Sequence, residues 1–374
     1  MKLKLFAFTL TVGLTVNTFA QSIPMPDHVV IVMMENYAYD DIIGNTANAP
    51  HINALASDPS TALFTNSVAL THPSQPNYLM LYSGSNQGVT NDYISSNTPF
   101  STCNLGASII AAGKTFAGYS ETMPSTGYLG TTSGNYARKH NPWSNWQGTG
   151  TNQVPSSVNK MYTTFPSAST YSTLPTVSYV IPDLSDDMHN PTTNSVTAIS
   201  NGDTWFYNNL NSYVQWAKTN NSLLILTWDE DDNTAGTNQI VTMFVGQMVQ
   251  GGQYAESVNH YRVLRTLEDM FGITTYCGAS SSSTPITDCW KSTTTDIKKL
   301  DNNKKITLYP NPANNNLTIQ SANDLGTISV YNTIGEVVLE LKSQNKQEQI
   351  DLSGLSSGVY FIKTSLGMQK FIKE

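Results

Sequence analysis

The sequence predicts an α/β fold, a largely parallel central sheet flanked by helices, followed by a small antiparallel β-sandwich. Three observations carry this expectation. Apolar runs of strand length recur, as in HVVIVMM (28–34), TVSYVI (176–181) and SLLILTW (222–228), and each runs on into acidic or amide residues. Strands covered by helices on both faces show no polar side, so they read as continuous apolar segments. Segments of helical period lie between them, the pattern of parallel strands joined by crossovers. Beyond Trp290 the period shortens to two, with glycine punctuation, as in a small antiparallel sandwich.

The elements follow in chain order. Lys2 and Lys4 precede the apolar run FAFTLTVGLTV, which closes on Thr18, Phe19 and Ala20. This is a signal peptide over residues 1–20, too short to span a bilayer. FTNSVAL (64–70) reads as a strand, and THPSQPNYLMLYSG places Pro76 in the first turn of a helix that stops at glycine. A helix over 105–112 precedes a strand over 115–119. The span 120–175 has little periodicity; it wraps a site or is an unrelated surface insertion. A helix is expected over 202–220 with Asp203 as its cap, then strands over 222–231 and 238–246, and a helix over 260–273. These divide into a main domain over 21–290, a linker over 291–305 and a sandwich over 306–374.

The 374 residues carry a net charge of −8, with only 12% charged, and show no basic stripe. A protein that binds nucleic acid by neutralising its backbone is thereby disfavoured. No stretch after the leader is apolar enough to cross a membrane. Export permits disulfides. Cys277 and Cys289, twelve residues apart in a Ser/Thr-rich loop, are the natural pair and leave Cys103 unpaired, although Cys103 with either of them stays open. No C-x-x-C occurs, so a thiolate metal cluster is not indicated.

Ligands in α/β sheets gather beyond the carboxyl ends of the strands. Four polar clusters fall there: Glu35–Asn36, His72–Ser74, Asp183–Asp187–His189, and Asp229–Glu230–Asp231–Asp232, with His260 opening a helix. Carboxylates where a buried strand leaves the core need a cation or a basic partner. Few Lys or Arg lie nearby in sequence, which favours a metal over an acidic surface turn. Oxygen-rich ligands suit a hard divalent ion. Ser74, ahead of a helix, is either a cap or a hydroxyl nucleophile whose phosphate faces the helix N–H groups. His72, His140, His189 and His260 are candidates for metal binding, phosphate contact or proton donation. No G-x-S-x-G elbow surrounds Ser74.

Together, Glu35–Asn36, HPSQPNY, the NPW segment, PDLSDDMH, TWDEDD and NHYRVLRTLEDMFG resemble the phosphoesterase family of secreted bacterial acid phosphatases and phospholipases C, within the alkaline phosphatase superfamily. The resemblance runs from about 27 to 275 and makes the main domain catalytic. It implies metal ligation by Glu35, Asn36, Ser74, Asp229 and Glu230, with Ser74 the nucleophile. Asp187, His189 and His260 fall where the superfamily places a second metal or phosphate contacts, and His140 and His72 are phosphate contacts or proton donors. One or two divalent ions are implied, with Ca, Mg, Mn or Zn as options. The expected activity is hydrolysis of phosphate monoesters through a phosphoserine; phosphodiester or phospholipase C action on lipid or nucleotide diesters is the rival, with Trp143 and Trp146 available to hold such a group.

YPNPANNNLTI…GLSSGVYFIK resembles the sorting domain of the type IX secretion system of Bacteroidetes. That implies export by this machinery, then release or attachment at the outer-membrane surface. A small-molecule or lipid phosphate ester is the expected substrate.

Overall fold

The computed structural model describes residues 23–189, 194–234, 236–291 and 306–374. The expected leader over 1–20, and the expected linker beyond Lys291, lie outside them. The chain forms two compact units, Met1–Ser292 and Thr293–Glu374.

The first unit is built on eight strands: β1 (His28–Met34), β2 (Thr61–Ser67), β3 (Phe116–Ser120), the hairpin β4 (Thr132–Ser133) and β5 (Tyr136–Ala137) outside the sheet, then β6 (Asn159–Met161), β7 (Val177–Ile181), β8 (Ser222–Trp228), β9 (Thr242–Gly246) and β10 (Gly252–Val258). The sheet order is β10-β2-β9-β8-β1-β7-β3-β6. All neighbours run parallel except β9, which is antiparallel to β2 and β8. The reversal has a simple cause. Among the described residues between Trp228 and Thr242 there is no helix, and without a crossover the chain returns antiparallel.

Side chains of one strand alternate between two cores. Val29, Ile31 and Met33 pack with α3 (Ser74–Ser83), α4 (Leu105–Ala111) and α6 (His260–Met270). Val30, Val32 and Met34 pack with α2 (Pro50–Ala56) and α5 (Ser195–Ala217), while α1 (Tyr39–Ile42) follows the first strand. The result is a helix–sheet–helix sandwich that leaves its strand ends free to present polar groups.

Several local expectations are corrected. β2 begins at Thr61, three residues before the apolar run suggested. β10 was missed because GQYAESV is largely exposed on an edge and carries little apolar signal. α5 starts at Ser195 and is capped by Asn194, whose side chain accepts from Thr197 N–H. Asp203 lies inside that helix, and its carboxylate accepts from His51 N–H and Ile52 N–H, closing the first turn of α2 instead. The disulfide joins Cys103 to Cys277, and Cys289 is free and buried. Proximity in sequence favoured 277–289, but the fold brings the start of α4 beside the segment after α6.

The second unit holds seven strands: β11 (Thr307–Tyr309), β12 (Asn316–Gln320), β13 (Gly326–Tyr331), β14 (Val337–Ser343), β15 (Gln347–Asp351), β16 (Gly358–Thr364) and β17 (Gly367–Lys373). They form antiparallel sheets ordered β11-β12-β15 and β14-β13-β16-β17 around a core that includes Leu317, Ile319, Val330, Ile362 and Phe371.

Candidate active site

Three parallel strands deliver acids to one edge. β1 continues into Glu35 and Asn36, β8 into Asp229, Glu230 and Asp231, and β7 turns through Asp183 to Asp187 and His189. Backbone bonds hold the ends in register beyond the strands, Glu35 N–H to Asp187 O (2.8 Å) and Asp229 N–H to Met34 O (3.0 Å). Asn36 sits at φ 34°, a left-handed conformation that asparagine tolerates. α3 brings Ser74 as its first residue, and Asn77 and Tyr78, three and four positions on, share its face. A 3₁₀ turn, Arg138–His140, supplies Lys139 and His140.

Ser74 Oγ lies 3.1 Å from both Glu35 Oε2 and Glu230 Oε1. Asn36 Nδ2 donates to the same Glu230 oxygen at 3.0 Å, and Asn36 N–H donates to Asp229 Oδ1 at 3.2 Å. Tyr78 donates its hydroxyl to Glu35 Oε1 at 2.6 Å, and Asn77 Nδ2 reaches Glu230 Oε2 at 3.4 Å. His140 Nε2 is 3.0 Å from Glu35 Oε1 and its Nδ1 is 3.5 Å from Asp187 Oδ2. His189 Nδ1 is 3.1 Å from Asn36 Oδ1. His72 spans Glu230 Oε2 (2.9 Å) and Asp231 Oδ1 (3.2 Å). His260 is placed behind this cluster, with Nε2 2.8 Å from the backbone oxygen of Asp229.

Glu35, Asp187, Asp229, Glu230 and Asp231 are all buried. Burial, then the charges of Glu35 and Glu230, pushes the Asp229 carboxyl well above its ordinary range. Burial and Glu35 do the same to Asp187, and raise Glu230 to about 8 although the Ser74 hydroxyl opposes the shift. Burial drives His140 well below the usual imidazole value, with the Lys139 and His189 charges adding to it. Burial lowers His260 to about 4, against the pull of its bond to Asp229.

A divalent cation fits this donor set. Asp229 Oδ2 and Asp231 Oδ2 are buried with no hydrogen-bond partner, and Asp187 Oδ2 has only His140 Nδ1, 3.5 Å away, without a formed hydrogen bond, an expensive condition for polar atoms unless another group meets them. Ser74 has one hydroxyl hydrogen for two carboxylate oxygens, of which Glu230 Oε1 also accepts from Asn36 Nδ2. Glu35, His140 and Asp187 offer ligand atoms within 4.8 Å of one another. The chain therefore contains a cluster suited to a divalent metal ion.

Of the residues singled out from the sequence for chemistry, Glu35, Asn36, His72, Ser74, His140, Asp187, His189, Asp229, Glu230 and Asp231 lie in this cluster. Asp183 departs to a separate group with Glu121 and Asp186, and His260 meets backbone rather than the pocket of acids. Trp143 and Trp146 are fully buried; Trp143 packs against Phe116 and Tyr179, and Trp146 against Tyr82 and Phe100. The sequence reading missed Tyr78 and Asn77, which the helical spacing from Ser74 signals. It also missed Lys139 and Asp92, whose meeting across loops (Nζ to Oδ2, 2.8 Å) leaves no local pattern.

A helix–sheet–helix sandwich with a hydroxyl among buried carboxylates suits a metal-binding phosphoesterase, and the known proteins it matches make this chain a phosphoric ester hydrolase of the acid phosphatase type. Residues 46–274 match the Phosphoesterase family and residues 307–374 a secretion system C-terminal sorting domain. The chain is 42% identical over 271 residues to the phosphatidylinositol-3-phosphatase of Mycobacterium tuberculosis, covering 72% of this chain and 85% of that one. It is 29% identical over 268 residues to an acid phosphatase of Aspergillus fumigatus, covering 67% of this chain but only 56% of that enzyme. A crystal structure of an alkaline phosphatase superfamily protein from Vibrio parahaemolyticus shares the fold, with a TM-score of 0.51 at 11% identity, covering 92% of this chain and 84% of that one. This chain belongs to the phosphoesterase family and ends in a type IX secretion sorting domain. That domain implies engagement of the type IX machinery, with secretion or attachment at the outer-membrane surface. Among the described residues no helix is long and apolar enough to cross a membrane.

Proposed function

We propose that this enzyme hydrolyses phosphate monoesters through a phosphoserine on Ser74. The observation that carries the reading is the single Ser74 hydroxyl set 3.1 Å from two buried carboxylates, beside acid oxygens that have no protein donor. Glu35, Asn36, Ser74, Asp229 and Glu230, with Asp187 as a further ligand, would hold a divalent cation, whose charge would ease loss of the Ser74 proton and offset the charge of the phosphoryl group.

The chain's own groups do the rest. Ser74 gives its proton toward Glu35 or Glu230, and Oγ bonds to phosphorus as the ester oxygen departs. The side chain of His189, 29% exposed and held at Asn36 and Glu35, is placed to protonate that oxygen. Water then attacks the phosphoserine, releasing phosphate and restoring the hydroxyl. His140 and Tyr78 hold Glu35, and His260 fixes the carbonyl of Asp229, so these three act as positioning residues.

The phosphatase names of the relatives support monoesters over diesters, and the mycobacterial relative makes a phosphoinositide a substrate to try. Burial of Trp143 and Trp146 in packing removes the aromatic feature that favoured a diester group. The test compares kcat/KM on p-nitrophenyl phosphate and bis-p-nitrophenyl phosphate before and after chelation. Monoester turnover should dominate, vanish with chelator and return with a divalent ion. Faster diester turnover, or activity indifferent to thorough chelation, would overturn the proposal.

A further inference from the structure

We propose that Lys139, held in place by Asp92, selects phosphate monoesters over diesters by pairing with the phosphoryl oxygen that a diester lacks as a free group. The inference rests on the reading that the Ser74 site takes phosphate esters, and it concerns a residue outside the metal-and-serine cluster. Lys139 Nζ lies 2.8 Å from Asp92 Oδ2. The other oxygen of Asp92 accepts from the N–H of Gln75, the residue after Ser74, at 3.0 Å. Lys139 is also the chain neighbour of His140, whose ring stands 3.0 Å from Glu35. The ammonium is thus tied to the nucleophile's helix by one link and to the metal-binding acids by another.

The charge balance gives this placement a purpose. The acids around Ser74 are numerous enough to offset a divalent cation, so a dianionic monoester brings a charge that the cluster does not meet. A diester brings one negative charge fewer. An ammonium has three N–H donors, and Asp92 takes one of them, leaving two for substrate. The adjacent guanidinium is committed elsewhere: Arg138 donates to Ser144 and to the Leu129 carbonyl. Lys139 and Asp92 side chains are 18% and 36% exposed, so an arriving phosphate reaches the pair without opening the core.

The test uses the full-length, metal-loaded enzyme with Lys139→Met, Lys139→Arg and Asp92→Ala. Losing one charge-assisted contact to the dianion should lower monoester kcat/KM by about 10- to 100-fold in Lys139→Met, against less than about threefold on the diester. Lys139→Arg should recover most of the monoester rate, which a purely structural role would not predict. Asp92→Ala should fall between Lys139→Met and the wild type. Titration of inorganic phosphate into Ser74→Ala, with and without Lys139→Met, reads binding apart from turnover; the added change should weaken binding about tenfold. Equal losses on both esters without recovery by arginine, or an unchanged ratio, would overturn the proposal. If Ser74→Ala keeps full turnover while the ester ratio still follows Lys139, the phosphoserine fails and the selectivity stands.

Discussion

Two acidic clusters stand at the same carboxyl edge of the sheet, and the difference between them explains what makes one a metal site. Glu121 follows β3 and meets Asp183 and Asp186 after β7; Glu35, Asp187 and Asp229 follow β1, β7 and β8. Proximity alone does not separate them. Partners do. Glu121 accepts from Trp205 Nε1 at 2.8 Å and from Asp183 N–H at 3.0 Å, and Asp183 accepts from Ser185 N–H at 2.9 Å. The protein's own donors meet Glu121 and Asp183. At the other cluster, Asp229 keeps a buried oxygen that no protein group meets, and Asp187 keeps one that only His140 Nδ1 approaches, at 3.5 Å without a hydrogen bond. An acid already satisfied by N–H groups makes no demand for a cation, whereas an orphaned buried oxygen does.

The sharpest way to break that contrast is substitution on both sides of it. Glu35→Gln or Asp229→Ala should strip the metal found by elemental analysis and cut kcat/KM by about 10³-fold or more. Glu121→Gln and Asp183→Asn should leave metal content and rate within about twofold. Equal metal loss from both clusters would erase the distinction. A smaller effect is expected from Tyr78→Phe, which removes the 2.6 Å donor to Glu35. A lost bond to a charged group costs about 1.5–3 kcal/mol, read as lower metal affinity with the fold intact by circular dichroism.

The pH response has a sign that depends on the cation. Without metal, Glu230 sits at about 8 and Asp187 and Asp229 are also raised. Groups raised in the folded state stabilise it below their unfolded values and lose that contribution as pH rises. Melting of the chelated protein should therefore weaken from about pH 5 toward pH 8. Metal binding needs the deprotonated acids, so affinity should strengthen over the same interval. A chelated protein that gains stability toward pH 8 would show that these carboxylates are not raised. The disulfide gives a moderate, structural effect. Cys103→Ser should cost about 2–4 kcal/mol in denaturant unfolding under oxidising conditions, whereas Cys289→Ser should retain that bridge, as its Sγ takes no part in it.

The contrast also marks what could be seen in sequence. Glu35 and Asp229 were legible because each directly follows an apolar run, and the sheet's geometry places such ends together, whereas Asp187 lies six residues past its strand and stood out through the family resemblance. Ser74 at a helix start reads equally as a cap, and only the HPSQPNY resemblance singled it out. Asp203 was misread as a local cap because a carboxylate near a helix start looks the same whether it closes its own helix or a distant one. The Cys103–Cys277 bridge and the Asp92–Lys139 pair were hidden for a related reason. Each joins loops far apart in the chain, and no periodicity records such a meeting. β9 kept its strand signature, but its direction depended on the absence of a crossover helix, a property of the connection rather than of the strand.

The central claim is that the hydroxyl poised between Glu35 and Glu230 becomes the phosphate carrier. Rapid acid quench during turnover of p-nitrophenyl phosphate, followed by peptide mass spectrometry, tests it directly. Phosphate covalently attached to the peptide at Ser74, absent in Ser74→Ala, is the expected result. A folded, metal-loaded Ser74→Ala enzyme that turns over at the wild-type rate would contradict it.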